Sequence, residues 1–389
     1  MGNQAGIGLY DHYQYINIGG TYPFGNSNNP LKVPNASLGA MPAVDRTWET
    51  IETYNAGIDF ATLNNRLSGT FDYFIKDNKN MFYAEEFPTI LGTSAPSING
   101  AHVRTNGWEL TLNWKDKIGK VGYRIGLNLS DNKTKVISLS DSRNPGHGLM
   151  GFVEGYPTNS FFIYEFDGFI KDEADLADYK TKMKGGVPTN LRVGDAKYVD
   201  KDGDGVLEPT LYKEGDPNSG DIVYKGTNNQ RYLYGINLGL DWKGIDVSAF
   251  LQGVGKWDCI NGTYAGGGEV WKQSSQYFYH NTWSPDRPNA EYPRLTQDGG
   301  IHGYNYQWSD APYKFFNNRY LRLKEVQIGY TFPTTLTKKI GVEKLRVYAT
   351  GMNLLEWDNL PNGFDPEAPY TENLIPFSRT YSIGVNVQF

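Results

Sequence analysis

The sequence predicts an all-β chain, a transmembrane antiparallel β-barrel with long extracellular loops. Three observations carry that prediction. Apolar and polar residues alternate with period 2 in segment after segment of the 389 residues. Aromatics make up 14% of the chain, with 28 Tyr, 19 Phe and 9 Trp, yet mean hydropathy is -0.54. The last nine residues alternate again and close on Phe389. A wall with one face in lipid and the other in water produces such averages without any long apolar run.

Taken in order, the alternating segments begin at 66–75. There Leu67, Phe71, Tyr73 and Ile75 share one face, and Arg66, Ser68, Thr70 and Asp72 the other. Residues 108–114 set Trp108, Leu110, Leu112 and Trp114 against Glu109, Thr111 and Asn113. Next, Val121, Tyr123, Ile125, Leu127 and Leu129 oppose Gly122, Arg124, Gly126 and Asn128. Tyr232, Tyr234, Ile236, Leu238, Leu240 and Trp242 oppose Gly235, Asn237, Gly239 and Asp241. A tight Lys243-Gly244 turn then leads into Ile245, Val247, Ala249 and Leu251. The final strand, within 376–389, places Tyr381, Ile383, Val385, Val387 and Phe389 opposite Ser382, Gly384, Asn386 and Gln388.

Successive strand side chains point to opposite faces, so each segment has one greasy and one wet face. A soluble sandwich also alternates, but these segments run to about 9–12 residues, the length a tilted strand needs to cross a bilayer. Tyr or Trp at the ends of the apolar rows, as at Trp108/Trp114 and Tyr232/Trp242, suits interfacial girdles. Residues 165–229 and 253–312 are long, polar and rich in Gly, Pro, Asn and Asp. Connections of that length are uncommon unless functional, and membrane barrels place short turns on one side and long loops outside.

Composition excludes several classes. No run of 18 apolar residues exists, so no helical span is expected. The start, MGNQAGIGLYDHYQY, lacks a basic segment and an apolar segment, so it is not a signal peptide. Cys259 is the single cysteine, and the net charge of -6 comes with no basic stripe for nucleic acid. His12, His102, His147, His280 and His302 are scattered without metal-ligand spacing, and no nucleophile elbow or phosphate-cradling loop appears. Glu85 and Glu86 are read as solvated charge, and no catalytic residue is expected.

Four segments carry a resemblance. Phe316 to Pro333 reads FNNRYLRLKEVQIGYTFP, and Trp283 to Thr296 reads WSPDRPNAEYPRLT. Leu345 to Glu367 reads LRVYATGMNLLEWDNLPNGFDPE, and Tyr232 to Gly253 reads YLYGINLGLDWKGIDVSAFLQG. In their order along the chain, from Tyr232 to Glu367, they resemble the SusC/RagA-like TonB-dependent outer-membrane transporters, and the opening GNQAGIGLYDHYQY is similar to a segment from the middle of that family's barrel. The resemblance implies that residues 1–389 are the carboxyl-terminal part of such a barrel. It leaves the amino-terminal plug and the TonB-contacting segment to the remaining portion of the transporter. It further implies location in the outer membrane of a Gram-negative bacterium, and contact with membrane lipid. Energy would come from the TonB complex, with a SusD-like surface lipoprotein capping the opening and glycan or peptide oligomers as cargo. The terminal strand Tyr381 to Phe389 looks like an aromatic assembly signal.

One local motif points to a cation. Asp200, Asp202 and Asp204 alternate before Gly205, with the Val206 carbonyl at position seven and Glu208 at position nine of a possible Ca²⁺ loop. Position twelve is Leu211 where an EF-hand needs an acid, leaving Glu214 or Asp216 further along as substitutes; an Asp/Gly-rich turn without any ion is the plain alternative. Aromatic faces stack on sugar rings, which makes Trp257, Trp271, Trp283 and Trp308, with Tyr277 and Tyr279, candidates for substrate contact. Packing of large loops is the other use of such residues. The functional expectation is therefore a nutrient-import barrel, with a passive ligand-binding or adhesion barrel as the rival.

Overall fold

The computed structural model describes residues 10, 12–24, 31–39, 41–43, 46–84, 90, 96–140, 145–217, 219–260, 280–360, 365–367 and 378–389. Its main feature is a nine-stranded antiparallel sheet. In chain order the strands are β3 (Thr50–Thr62), β4 (Leu67–Ala84), β5 (Ser97–Ile118), β6 (Val121–Leu139), β12 (Arg231–Trp242), β13 (Ile245–Lys256), β16 (Tyr320–Thr331), β17 (Lys344–Asp358) and β18 (Thr380–Gln388). Each pairs with its sequence neighbour in this set, from β3 at one edge to β18 at the other. A separate hairpin, β1 (Ile16–Phe24) with β2 (Leu31–Leu38), precedes them.

Register aligns the predicted apolar residues into continuous rows. Leu67 stands opposite Trp114, Trp114 opposite Ile125, Ile125 opposite Leu238, Leu238 opposite Ala249 and Ala249 opposite Val326. Rows of this kind stay exposed: Ile58 is 66% exposed, Ile328 54% and Ile383 83%. A soluble fold would bury that surface at roughly 25 cal/mol per Å², so the exposed rows mark the lipid-facing side. The opposite rows carry Ser68, Asn113, Gly126, Asn237 and Glu325.

Turn chemistry sets the short end of the sheet. Lys243 and Gly244 both have positive φ, 47° and 87°, as a two-residue hairpin turn of type I′ requires between the paired Trp242 and Ile245. Gly119 opens the β5–β6 turn at φ 61°. Within the sheet, Gly107 lies directly opposite Phe74, whose ring fills the space that a Cβ would take.

At the long-connection end the chain folds on itself. β7 (Gly148–Met150), β8 (Ser160–Tyr164) and β11 (Ile222–Thr227) form one small sheet, and β9 (Phe166–Phe169) pairs with β10 (Ala196–Tyr198). β14 (Asp258–Ile260) pairs with β15 (Phe315–Asn317). Helix α1 (Glu173–Lys182) starts on Asp172, whose side chain accepts the Asp175 amide, and has acids in its first turn and lysines in its last. A second helix, α2 (Gly299–Asn305), starts on Asp298. The largest buried cluster lies here, not in the big sheet, and includes Phe162, Tyr164, Ile170, Leu176, Tyr179, Tyr198, Ile222, Ile301 and Tyr304. Segments 165–229 and 253–312, expected as plain loops, thus contribute much of a packed outer body. β13 continues to Lys256, so the second segment leaves the sheet four residues later than its composition suggested.

Candidate substrate-facing surface

The outer body is held by buried carboxylates that reach across long stretches of chain. Asp195 is fully buried. It accepts the Arg192 amide at 2.7 Å and the Asn305 side-chain amide at 2.9 Å, and pairs with Arg294 at 2.8 Å. Asn305 in turn accepts the Ala196 amide at 2.9 Å. Tyr179 and Tyr304 join hydroxyls at 2.9 Å, and the Tyr198 hydroxyl donates to the Tyr304 carbonyl at 2.9 Å. Burial pushes all three phenols above their ordinary value, so they remain neutral donors.

Glu165, between β8 and β9, accepts from Lys201 at 2.6 Å and Lys225 at 2.7 Å. The Lys201 ammonium, and then that of Lys225, holds its carboxyl below the usual glutamate value. Lys225 also pairs with Asp310 at 2.9 Å, and Asp310 accepts the Phe166 amide at 2.7 Å. Lys314, only 9% exposed, makes no ion pair among the described residues, and burial pushes it down to about 8.

The quoted motifs acquire physical roles. Arg322, buried in the YLRLK strand, donates to Glu356 at 2.9 Å, Asp365 at 2.7 Å and Glu367 at 2.9 Å, while Lys324 donates to Glu367 at 2.7 Å. The strand motif and the Asp365-Pro366-Glu367 motif therefore clamp each other. In the WSPDRPNAEYPRLT segment, the Trp283 amide donates to the Tyr292 carbonyl and the Tyr292 amide to the Asn281 carbonyl, and Arg294 supplies the cation for Asp195.

Among the described residues, the aromatic candidates lie in different surroundings. Trp257 is buried with Val254, Cys259 and Tyr320, and its indole N–H donates to Asn228 at 2.9 Å. Half-buried Trp283 lies against Gly194, where any side chain would enter its ring. Trp308 rests on Gly148 and stands 6.5 Å from the Phe161 ring. Trp271, Tyr277 and Tyr279 lie outside the described residues, as do Glu85 and Glu86. The three described Trp residues each sit in packing.

Asp200, Asp202 and Asp204 do come together, with one oxygen from each within 4.8 Å of the others. Their carboxylates also accept loop amides: Gly203 and Gly205 on Asp200, Gly220 on Asp202, and Val206 on Asp204. Exposed Glu208 is not in that group; its backbone amide donates instead to buried Asp221 at 2.7 Å. Asp221, which sequence reasoning missed, also accepts the Lys201 amide, and burial raises its carboxyl. Leu211 bridges to Ile222 rather than offering a ligand.

The wet face of the sheet holds two further hollows. One, of about 520 Å³, is lined by Arg66, Asn113, Lys115, Arg124, Asn237 and Glu325. Another, nearer the outer body and about 550 Å³, is lined by Glu109, Thr111, Asn128, Tyr234, Gln252 and Tyr320. Alternation placed Arg66, Asn113, Arg124, Asn237, Glu109, Thr111 and Asn128 on a watery side and Tyr234 on the apolar one, and no single one carried a local motif.

The profile of the family described as TonB dependent receptor-like, beta-barrel matches residues 6–203, half of the chain. The chain belongs to this family. TonB-dependent receptor P3 of Formosa agariphila is 27% identical over 370 residues, which cover 88% of this chain and 34% of the relative. TonB-dependent receptor SusC of Bacteroides thetaiotaomicron is 24% identical, covering 95% of this chain and 34% of that relative. The chain thus spans about a third of the length of these curated relatives. The solved RagAB peptide transporter superposes with a TM-score of 0.71 at 22% identity, over 99% of this chain and 39% of the other; it shows a shared fold. Membership places this β-barrel wall in the outer membrane of a Gram-negative bacterium, in a family of transporters and receptors rather than enzymes.

Proposed function

We propose that the chain forms the closing wall and outer mouth of a TonB-dependent importer of oligomeric nutrients, glycans or peptides. The observation that carries this reading is the division of the molecule. One end of a lipid-facing sheet has short turns, and the other supports a packed outer body above a polar inner wall. Strand edges are untenable in hydrocarbon, so β3 and β18 would be shut by further strands of the transporter, around a plug. A SusD-like lipoprotein would cap the mouth, as the names SusC and RagAB among the relatives suggest. Calcium at Asp200, Asp202 and Asp204, without Glu208, belongs to the same reading as a brace for the outer body, supported by the convergence of the three carboxylates.

Uptake of candidate oligosaccharides and peptides by cells expressing the native protein tests the main claim, with and without an energised TonB complex. Energy-dependent accumulation is expected. Equal uptake in de-energised cells, or surface binding without accumulation, would reject active import in favour of a passive binding barrel. Co-purification of a lipoprotein with the protein tests the cap.

A further inference from the structure

The short-turn end of the sheet is basic although the whole chain is acidic. Residues 62–67, 115–124, 239–248 and 329–346 hold ten Lys or Arg against four Asp or Glu, whereas the full chain has 37 against 43. Two of the ten are ion-paired, Arg66 with Asp116 and Arg346 with Asp246. The other eight make no ion pair among the described residues. Lys120, Lys243, Lys338 and Lys339 sit on the turns themselves and are exposed.

These turns are neighbours. Val121 pairs with Trp242, and Ile245 with Tyr330, so the β5–β6, β12–β13 and β16–β17 connections follow one another along the rim. The Lys243 ammonium lies 5.2 Å from the Trp242 ring, at the end of the lipid-facing row of β12. The third connection contains a helical turn, Thr334–Thr337, running into Lys338–Ile340. Thr337 and Val342 are buried, while Leu336 and Ile340, four residues apart, are 55% and 70% exposed beside the two lysines. Aliphatic side chains flanked by lysines suit a membrane interface, where the chains enter the acyl boundary and the ammonium groups extend to the headgroups.

We propose that this rim is a phospholipid-binding collar. Lys120, Lys243, Lys338 and Lys339 hold anionic headgroups of the periplasmic leaflet, and Trp242, Leu336 and Ile340 enter its acyl edge. Continuity of the rim with the lipid-facing rows favours lipid over an acidic protein, which would have no use for the exposed aliphatic pair. The inference rests on the barrel reading, with short turns on the periplasmic side.

The test purifies the native protein in mild detergent and measures retained phosphatidylglycerol per protein by native mass spectrometry. It compares wild type, K120Q/K243Q/K338Q/K339Q, L336S/I340S, and a control neutralising exposed lysines of the outer body, K171Q/K180Q/K213Q. Each lysine near an anionic surface is worth roughly a fivefold factor in binding. The fourfold variant is therefore expected to lose at least about fivefold of the bound lipid. L336S/I340S should lose lipid as well, and the control should keep it. Wild-type lipid retention in the fourfold variant, or equal loss in the control, would overturn the collar. So would an acidic periplasmic protein bound by wild type and lost from the variant at constant lipid. Each sample is also run boiled and unboiled on a gel. A wild type that shows no shift rejects the barrel itself, whereas a shifted barrel with unchanged lipid rejects only the collar.

Discussion

Lys314 shows how a single side chain can set the stability of the outer body. Its ammonium is buried without an ion pair among the described residues, and burial pushes it down from 10.5 to about 8. A lysine depressed on folding binds fewer protons folded than unfolded between those two values, so stability rises with pH from about 8 to 10.5 and is lowest below that window. Lys314→Met is expected to stabilise the body at neutral pH by on the order of 1 kcal/mol and to flatten this slope. Protease resistance of the purified protein across the window measures both effects, and an unchanged slope would show that the ammonium is not the source. Glu165 has the opposite sign. Its carboxyl is depressed by Lys201 and Lys225, so its contribution is present above the ordinary glutamate value and is lost as pH falls through the folded one.

Among the elements, six strands of the sheet were legible from alternation, whereas β3 and the elements of the outer body were not. Period-2 alternation is local, and each apolar row of β4, β5, β6, β12, β13 and β18 faces lipid, so nothing tertiary hides the pattern. Helix α1 buries only Leu176 and Tyr179 in an otherwise polar stretch, which left no apolar stripe to read. Likewise Trp257 could be read as an open aromatic because one of its partners, Tyr320 of β16, lies far along the chain, although Val254 and Cys259 flank it. The alternating Asp motif was legible as a unit, and its three carboxylates do meet, but exposed Glu208 does not join them. If that loop takes Ca²⁺, trypsin should cleave the outer body more slowly with calcium than with chelator, and D200N/D202N/D204N should abolish the difference. Equal rates in wild type would remove the cation from the reading.

For the whole molecule the decisive property is that it has two separate sources of order. Lipid contact holds the sheet, while Tyr-rich packing and buried carboxylates hold the outer body. Asp195→Ala leaves the Arg294 charge buried with less compensation, a change that costs about 3 kcal/mol in such pairs. The variant is expected to keep the gel shift of a folded barrel while its outer body becomes sensitive to protease. Loss of both together would show that body and wall form one cooperative unit. None of this division is visible in average composition, because exposed rows and buried clusters draw on the same Tyr, Phe and Trp.

The stitching of the outer body has a consequence for biogenesis. Its bonds join residues far apart in the chain, 99 positions between Asp195 and Arg294 and 144 between Phe166 and Asp310, and the strands β12 and β13 lie between the two contributing segments. Both segments must be carried across the membrane, and the hairpin between them threaded, before either can be sealed. The mouth of the barrel is therefore completed late, and a chain stalled after β13 would display half-finished tyrosine surfaces outside the cell, where surface proteases could remove it.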